Sequence, residues 1–257
     1  MSEGERPAGA WALTIIAGVL TIGSAATDIM AFTRLGNVFA SVMTSNIVFL
    51  GLAAARHSGT LAGHAAVSFA GYAAGVFAGS RLARRPARRD TDGPWTPWVA
   101  AALAAETVVL AGFTIGWEVT GTHPTGGPQL VLIALATIAM GLQSAVVVVL
   151  NISGVGTTYL TGTLTSLIDS LASPGPERGT AQRRQANLRR AVALAALVAG
   201  ALLAGLLISA APAAVPAIPL AALVIVLTIG RRLLAPRAEE KQPAVRRGDS
   251  QAEASHN

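Results

Sequence analysis

Apolar residues in this chain fall in blocks of about twenty, and short runs of arginine separate the blocks. The blocks are 11–32, 38–55, 61–82, 98–117, 130–150, 157–171, 191–210 and 214–234. With 52% hydrophobic and only 12% charged residues, and a mean hydropathy of +0.55, this pattern describes a polytopic, all-α membrane protein. The formal charge of +6 does not mark a nucleic-acid binder, because the arginines lie between the blocks as loop charges do. Absence of cysteine excludes disulfides, thiolate metal sites and thiol catalysis. The first block begins at Trp11 without an acceptable cleavage signal, so it is expected to be a retained helix.

The blocks are unequal. At about 1.5 Å per residue a helix needs roughly twenty residues to cross about 30 Å of hydrocarbon, and 157–171 offers only about 22 Å. More than half of that block is polar: Thr157, Thr158, Thr161, Thr163, Thr165, Ser166, Asp169 and Ser170. By contrast, Trp98 and Trp117 stand about 28 Å apart along one helix, which predicts an indole at each interface, with Trp11 and Trp95 anchoring in the same way.

Arginines set the expected orientation. Arg81, Arg84, Arg85, Arg88 and Arg89 mark one cytoplasmic loop, Arg178, Arg183, Arg184, Arg189 and Arg190 a second, and Arg231 onward the C-terminal tail. The stretches 118–129 and 212–216 carry no Lys or Arg and belong outside. Three crossings between the first two basic loops would put one of them on the wrong face. One segment must therefore fail to cross, and 157–171 is the candidate, entering from the cytoplasm and turning back.

Segment 38–55 has a similar irregularity, since Met43 is followed by Thr44, Ser45 and Asn46. When Val38 is laid on Val155, Thr44 falls on Thr161, Ser45 on Gly162 and Asn46 on Thr163. The third and seventh segments also share a ladder of small residues, Gly71, Gly75 and Gly79 against Ala196, Gly200 and Ala204, whose plain use is close helix packing. Residues 11–117 and 118–234 thus read as two membrane repeats, with 1–10 a cytoplasmic N-terminus and 235–257 a disordered cytoplasmic tail. Three crossings plus one re-entrant piece per repeat invert the second copy, an architecture that recurs in transporters. That gives six crossings. If 38–55 crosses instead there are seven, with the N-terminus outside and Arg34 cytoplasmic.

Consecutive Thr44, Ser45 and Asn46 point three ways around a helix, so no single orientation hides them from lipid. They are read as the tip of an element lining a polar cavity, to be met near the midplane by Thr161, Gly162 and Thr163, with Gln143 and Asn151 adjoining; helix-to-helix hydrogen bonding is the plainer alternative. An ionisable group in hydrocarbon costs several kcal/mol unless it is paired, protonated or facing a cavity. Asp28 is either a cation or proton site, or structural: paired with Arg34 or capping the next element. Glu106, about 12 Å past Trp98 with no Lys or Arg in any block except Arg81, Arg231 and Arg232 at block ends, is a second proton-coupling candidate or a buried hydrogen-bonded acid.

The runs "TDIMAFTRLGNVFASVMTSNIVFLGLA" and "GLQSAVVVVLNISGVGTTYLTGTLTSL" resemble the YoaK-like family of bacterial integral membrane proteins, a family classed by its unknown function. Its embedded Asp, Gly-x-Val-Phe turn and Met-Thr-Gly-Asn motif are matched by Asp28, by Gly36, Val38 and Phe39, and by Met43, Thr44 and Asn46. Its later motifs are matched by Gly141, Leu142, Gln143, Thr161, Gly162 and Thr163. Ser45 stands where the family has Gly, and Ser144 where it has Asn. The resemblance spans roughly 11–234 and implies a membrane protein of six or seven helices, a candidate transporter, with no substrate attached.

No enzyme constellation is present: there is no Gly-x-Ser-x-Gly, no His-Glu-x-x-His and no phosphate loop, and His57, His64, His123 and His256 are scattered. Neither cofactor nor metal is expected. Two readings of function stay open. One is a small-solute or ion transporter of the inner or plasma membrane, proton-coupled through Asp28 or Glu106, with a site between the repeats. The other is a scaffold or partner subunit assembling, with itself or another helix, through the Gly71, Gly75, Gly79 face.

Overall fold

The computed structural model describes residues 7–84, 95–150, 160–172 and 180–234. Among them the chain is all-helical: α1 Pro7–Arg34, α2 Met43–Ala55, α3 Gly59–Ala83, α4 Pro97–Thr120, α5 Gly126–Val149, α6 Leu160–Ala172, α7 Thr180–Ala210 and α8 Ala217–Ile229. A short 3-10 turn, Pro212–Ala214, leads into α8, and a π turn, Gly230–Leu234, continues it. Among the described residues, six stretches are long and apolar enough to cross a bilayer: Trp11–Arg34, Gly59–Ala83, Pro97–Thr120, Gly126–Val149, Arg183–Ala210 and Pro212–Leu234. The two short helices, α2 and α6, have 13 residues each, about 20 Å, and fall short of it. Segment 38–55 is not one helix, since only Met43 onward is helical. Asn151, Thr157 and Thr158 lie outside the described residues.

Contacts fix the direction of α2. Beyond Arg34 the chain turns through Gly36 (φ +101°) and Asn37 (φ +59°), left-handed backbone that Gly and Asn tolerate best. Gly36 then lies against His64, and further on the Phe39 carbonyl accepts a bond from Ser68 (2.8 Å). Residues 36–39 therefore descend alongside α3 into the bundle. From Met43 the chain returns as α2, and Ser58 caps α3 by accepting from the Leu61 N–H (3.4 Å). α2 starts inside and ends where α1 ends and α3 begins.

α6 points the other way. Leu160 packs on Ala17 and Ala193, the Ser166 carbonyl accepts from Arg190 (3.3 Å), and the Ser170 hydroxyl accepts from Arg183 (2.8 Å) and Asn187 (2.9 Å). α6 thus runs antiparallel to α7 and finishes beside the start of α7. That start adjoins the start of α1, where Trp11 and Thr14 share a recess with Gln185, Leu188 and Arg189. The two short helices emerge at opposite ends of the bundle.

Helix partners recur when the halves are exchanged: α3 packs on α5 and α7 on α1, α4 on α5 and α8 on α1, α2 on α3 and α6 on α7. The match extends to residues. A Cβ added to Gly75 would collide with the Ile138 carbonyl and crowd Gly141, and one added to Gly200 would collide with the Ile22 carbonyl and crowd Ala25. Thr21 and Thr137, at corresponding positions of α1 and α5, each bond back to a carbonyl one turn earlier, Ala17 (2.8 Å) and Ile133 (2.8 Å).

Two sequence expectations need correction. Trp117 is fully buried, with Nε1 donating to the Pro212 carbonyl (3.1 Å), and Trp95 is buried against Gly230. Neither serves as a lipid-facing anchor, because helix ends meet there inside the protein; Trp11 remains half exposed. The ladder Gly71, Gly75, Gly79 is covered along its length by α5, through Thr137, Ile138, Gly141, Leu142 and Ala145. It is an internal seam and offers no free face to another copy.

Candidate functional site

Asp28 sits on the buried face of α1, one and a half turns before the helix ends. Its Oδ1 accepts from the backbone N–H of Ala40 (2.8 Å) and of Ser41 (2.7 Å), and its Oδ2 from the Ser41 hydroxyl (2.6 Å). Residues 38–42 lie outside any helix, so these donors have no intrahelical partner, and a carboxylate from a neighbouring helix supplies what hydrocarbon cannot. Asp28 therefore braces the non-helical leg ahead of α2 and does not cap α2 itself, whose N-cap Val42 has no side-chain cap bond. The expected pairing with Arg34 is not observed: Arg34 contacts the His123 ring and donates to the Ile208 carbonyl (3.3 Å), linking the ends of α1 and α7 to the α4–α5 connection.

Asn46 completes the same knot. Wholly buried, it accepts from the Phe39 N–H (2.9 Å) and donates to the Phe39 carbonyl (2.7 Å) and to the Ser68 hydroxyl (2.7 Å). Its carboxamide thus imitates one rung of a strand ladder for a residue with none. Phe39 also stacks between Phe32 (5.1 Å) and Phe49 (6.3 Å), tying α1, the descending leg and α2 together. Ser41 and Ser68 were not singled out from the sequence. Ser68 had a visible signal, since it lies one turn from His64 and on the face of α3 that carries the glycine ladder.

The remaining candidates are dispersed. Thr44 is exposed, Ser45 is half-buried, and both occupy the first turn of α2. On α6, Thr161 and Gly162 are exposed, and Thr163 is the buried residue, at the position matching Asn46. The expected meeting of the two tips is not found. Leu160 packs at Ala17 whereas the first tip is held at Asp28, about 16 Å away along α1.

What lies between them is a second polar group. Gln143 of α5 is buried and its Nε2 donates to the Leu20 carbonyl of α1 (3.3 Å). Glu106 of α4 is wholly buried, and neither carboxyl oxygen has a hydrogen-bond partner among the described residues. The Ser144 hydroxyl, also buried, is likewise without one. No cluster of His, Cys, Asp and Glu suited to a metal ion occurs among the described residues.

The family model for a protein of unknown function, DUF1275, matches residues 10–229. The chain belongs to this family. It is 30% identical over 154 residues to the UPF0700 transmembrane protein YoaK of Bacillus subtilis (strain 168), a match covering 60% of this chain and 65% of that protein. No solved structure matches it. Membership agrees with the fold class and with a multi-pass membrane protein, and DUF1275 brings no activity with it. Of the family-type residues quoted above, Asp28, Phe39 and Asn46 all serve the first dip.

Proposed function

We propose that this DUF1275 protein is a small-solute or ion transporter built from two inverted halves, 11–117 and 118–234. One observation carries the reading: α2 and α6, too short to span, open toward opposite ends of one bundle, each burying its matched polar residue, Asn46 or Thr163. Non-helical backbone at membrane depth is tolerated only where protein or water surrounds it, and paired broken elements of opposite sense are how transporters present a site to both faces in turn. The scaffold alternative loses its support, because the glycine face it needs is filled by α5.

Orientation follows from charge. Arg81, Arg84, Arg183, Arg184, Arg189, Arg190, Arg231 and Arg232 all lie at the end where α1 begins, against Arg34 and Arg56 at the other. In a bacterial inner membrane the positive-inside rule supports both termini in the cytoplasm, with α2 opening outward and α6 inward. Substrate contact falls to the exposed hydroxyls of the short helices, Thr44 and Thr161, since Asp28 and Asn46 are engaged with backbone.

Proteoliposomes on a solid-supported membrane test this. Steps of pH and pulses of Na+, K+, ammonium and chloride are expected to give at least one protein-dependent transient current, abolished by Thr44→Val with Thr161→Val in protein that still elutes as a single species. Currents indistinguishable from those of empty vesicles for every pulse would overturn the reading.

A further inference from the structure

α7 uses two opposite faces where it enters the membrane. Arg183, Asn187 and Arg190 share one of them and hold α6 through Ser170 and Ser166. Val192 and Ala196 share the other and lie against Gly18 of α1. Arg189, three residues before Val192, falls on this second face, where it lines a recess with Trp11, Thr14, Gln185 and Leu188. Its Nε is shut away from water and has no hydrogen-bond partner among the described residues. No carboxylate is at hand: α7 carries none, the one on α1 is Asp28, engaged with Ala40 and Ser41, and Asp169 belongs to α6 on the far side of α7.

The level of the recess names the missing acceptor. Arg189 and Arg190 stand directly before the apolar block 191–210, and Trp11 opens the block 11–32, so the recess lies where hydrocarbon gives way to headgroups. Trp11 and Leu188 each leave about half of their surface exposed beside it, apolar area suited to a glycerol backbone and the first acyl carbons. Gln185, exposed and one turn nearer the aqueous side, adds carboxamide donors. A charged N–H taken out of water is costly without an acceptor, and a guanidinium presents a planar fork that matches two phosphate oxygens. The surplus of arginine at this end favours a ligand with net negative charge. We propose that Arg189, supported by Gln185 and Trp11, binds the phosphate of one anionic phospholipid seated between α1 and α7. This inference stands apart from the transporter reading and does not rest on it.

Full-length protein in detergent is titrated with phosphatidylglycerol, and bound lipid is counted by native mass spectrometry. One molecule is expected to bind about fivefold more tightly than phosphatidylcholine, which has the same phosphate without net charge. Arg189→Gln should abolish that preference, and Arg189→Lys, which keeps the charge and loses the fork, should weaken it by about threefold. Arg184→Gln removes an equal charge from an exposed residue outside the recess and should leave the preference intact. Excess inorganic phosphate should not displace the lipid; displacement would make this a site for free phosphate and overturn the lipid assignment. Where Arg189→Gln fails to elute as a single species, wild-type protein in phosphatidylcholine nanodiscs decides. There, a small fraction of brominated phosphatidylglycerol should quench Trp11 fluorescence, taken as the difference from Trp11→Phe, more than the same fraction of brominated phosphatidylcholine. Equal binding of the two lipids, equal loss in Arg184→Gln and Arg189→Gln, or equal quenching by the two brominated lipids overturns the proposal.

Discussion

The two short helices are equal in length and opposite in sense, but they are fastened differently. α2 is tied at its inner tip, where Asp28, Asn46 and Ser68 hold residues 39–41, and its outer end is free of such bonds. α6 is tied at its outer end, where Ser170 meets Arg183 and Asn187, and it buries only Thr163. Among the described residues, one dip is thus fastened at its inner tip and the other at its outer end.

The largest effects should show whether the halves share a frame at all. Gly75→Ile and Gly200→Ile each drive a side chain into the backbone of the facing helix, so both are expected to abolish monodisperse protein on size-exclusion chromatography. Loss in one but not the other breaks the equivalence of the α3–α5 and α7–α1 seams. Next comes the lock: Asp28→Ala leaves the Ala40 and Ser41 donors unpaired and should lower stability by about 3 kcal/mol, read as a fall in thermal midpoint, with Asn46→Ala close behind. Ser170→Ala, on the other dip, removes bonds at an interfacial end and should lower stability by about 1 kcal/mol or less. Equal losses for Asp28→Ala and Ser170→Ala would erase the contrast between the two fastenings. Smallest of all, Thr44→Val should leave the thermal midpoint within the equivalent of about 0.5 kcal/mol.

Much of the frame was legible because lipid enforces simple rules. Block lengths identified the six spanning stretches but left 38–55 open as a seventh, and the shortness of 157–171 marked α6 before any coordinates. The run Thr44, Ser45, Asn46 marked the first break correctly, although the break precedes it: the polar residues begin the helix and reach back to the leg that entered. What stayed hidden were pairings between segments. Composition does not say that Asp28 serves Ala40 and Ser41 and not Arg34, because both partners lie a short way along the chain and only the path after Gly36 decides. Nor does spacing along one helix tell whether Trp117 faces lipid or the Pro212 turn, or whether a glycine ladder meets another copy or α5. Convergence of the tips failed for a related reason, since matched positions in two repeats say nothing of their separation along α1.

Because the chain has no native cysteine, single cysteines placed at His57, after α2, and at Ala172, at the end of α6, can be labelled with a membrane-impermeant maleimide in right-side-out and inverted vesicles. Position 57 should react only from outside and position 172 only from the cytoplasmic side. Reaction of both from the same side would contradict two dips of opposite sense.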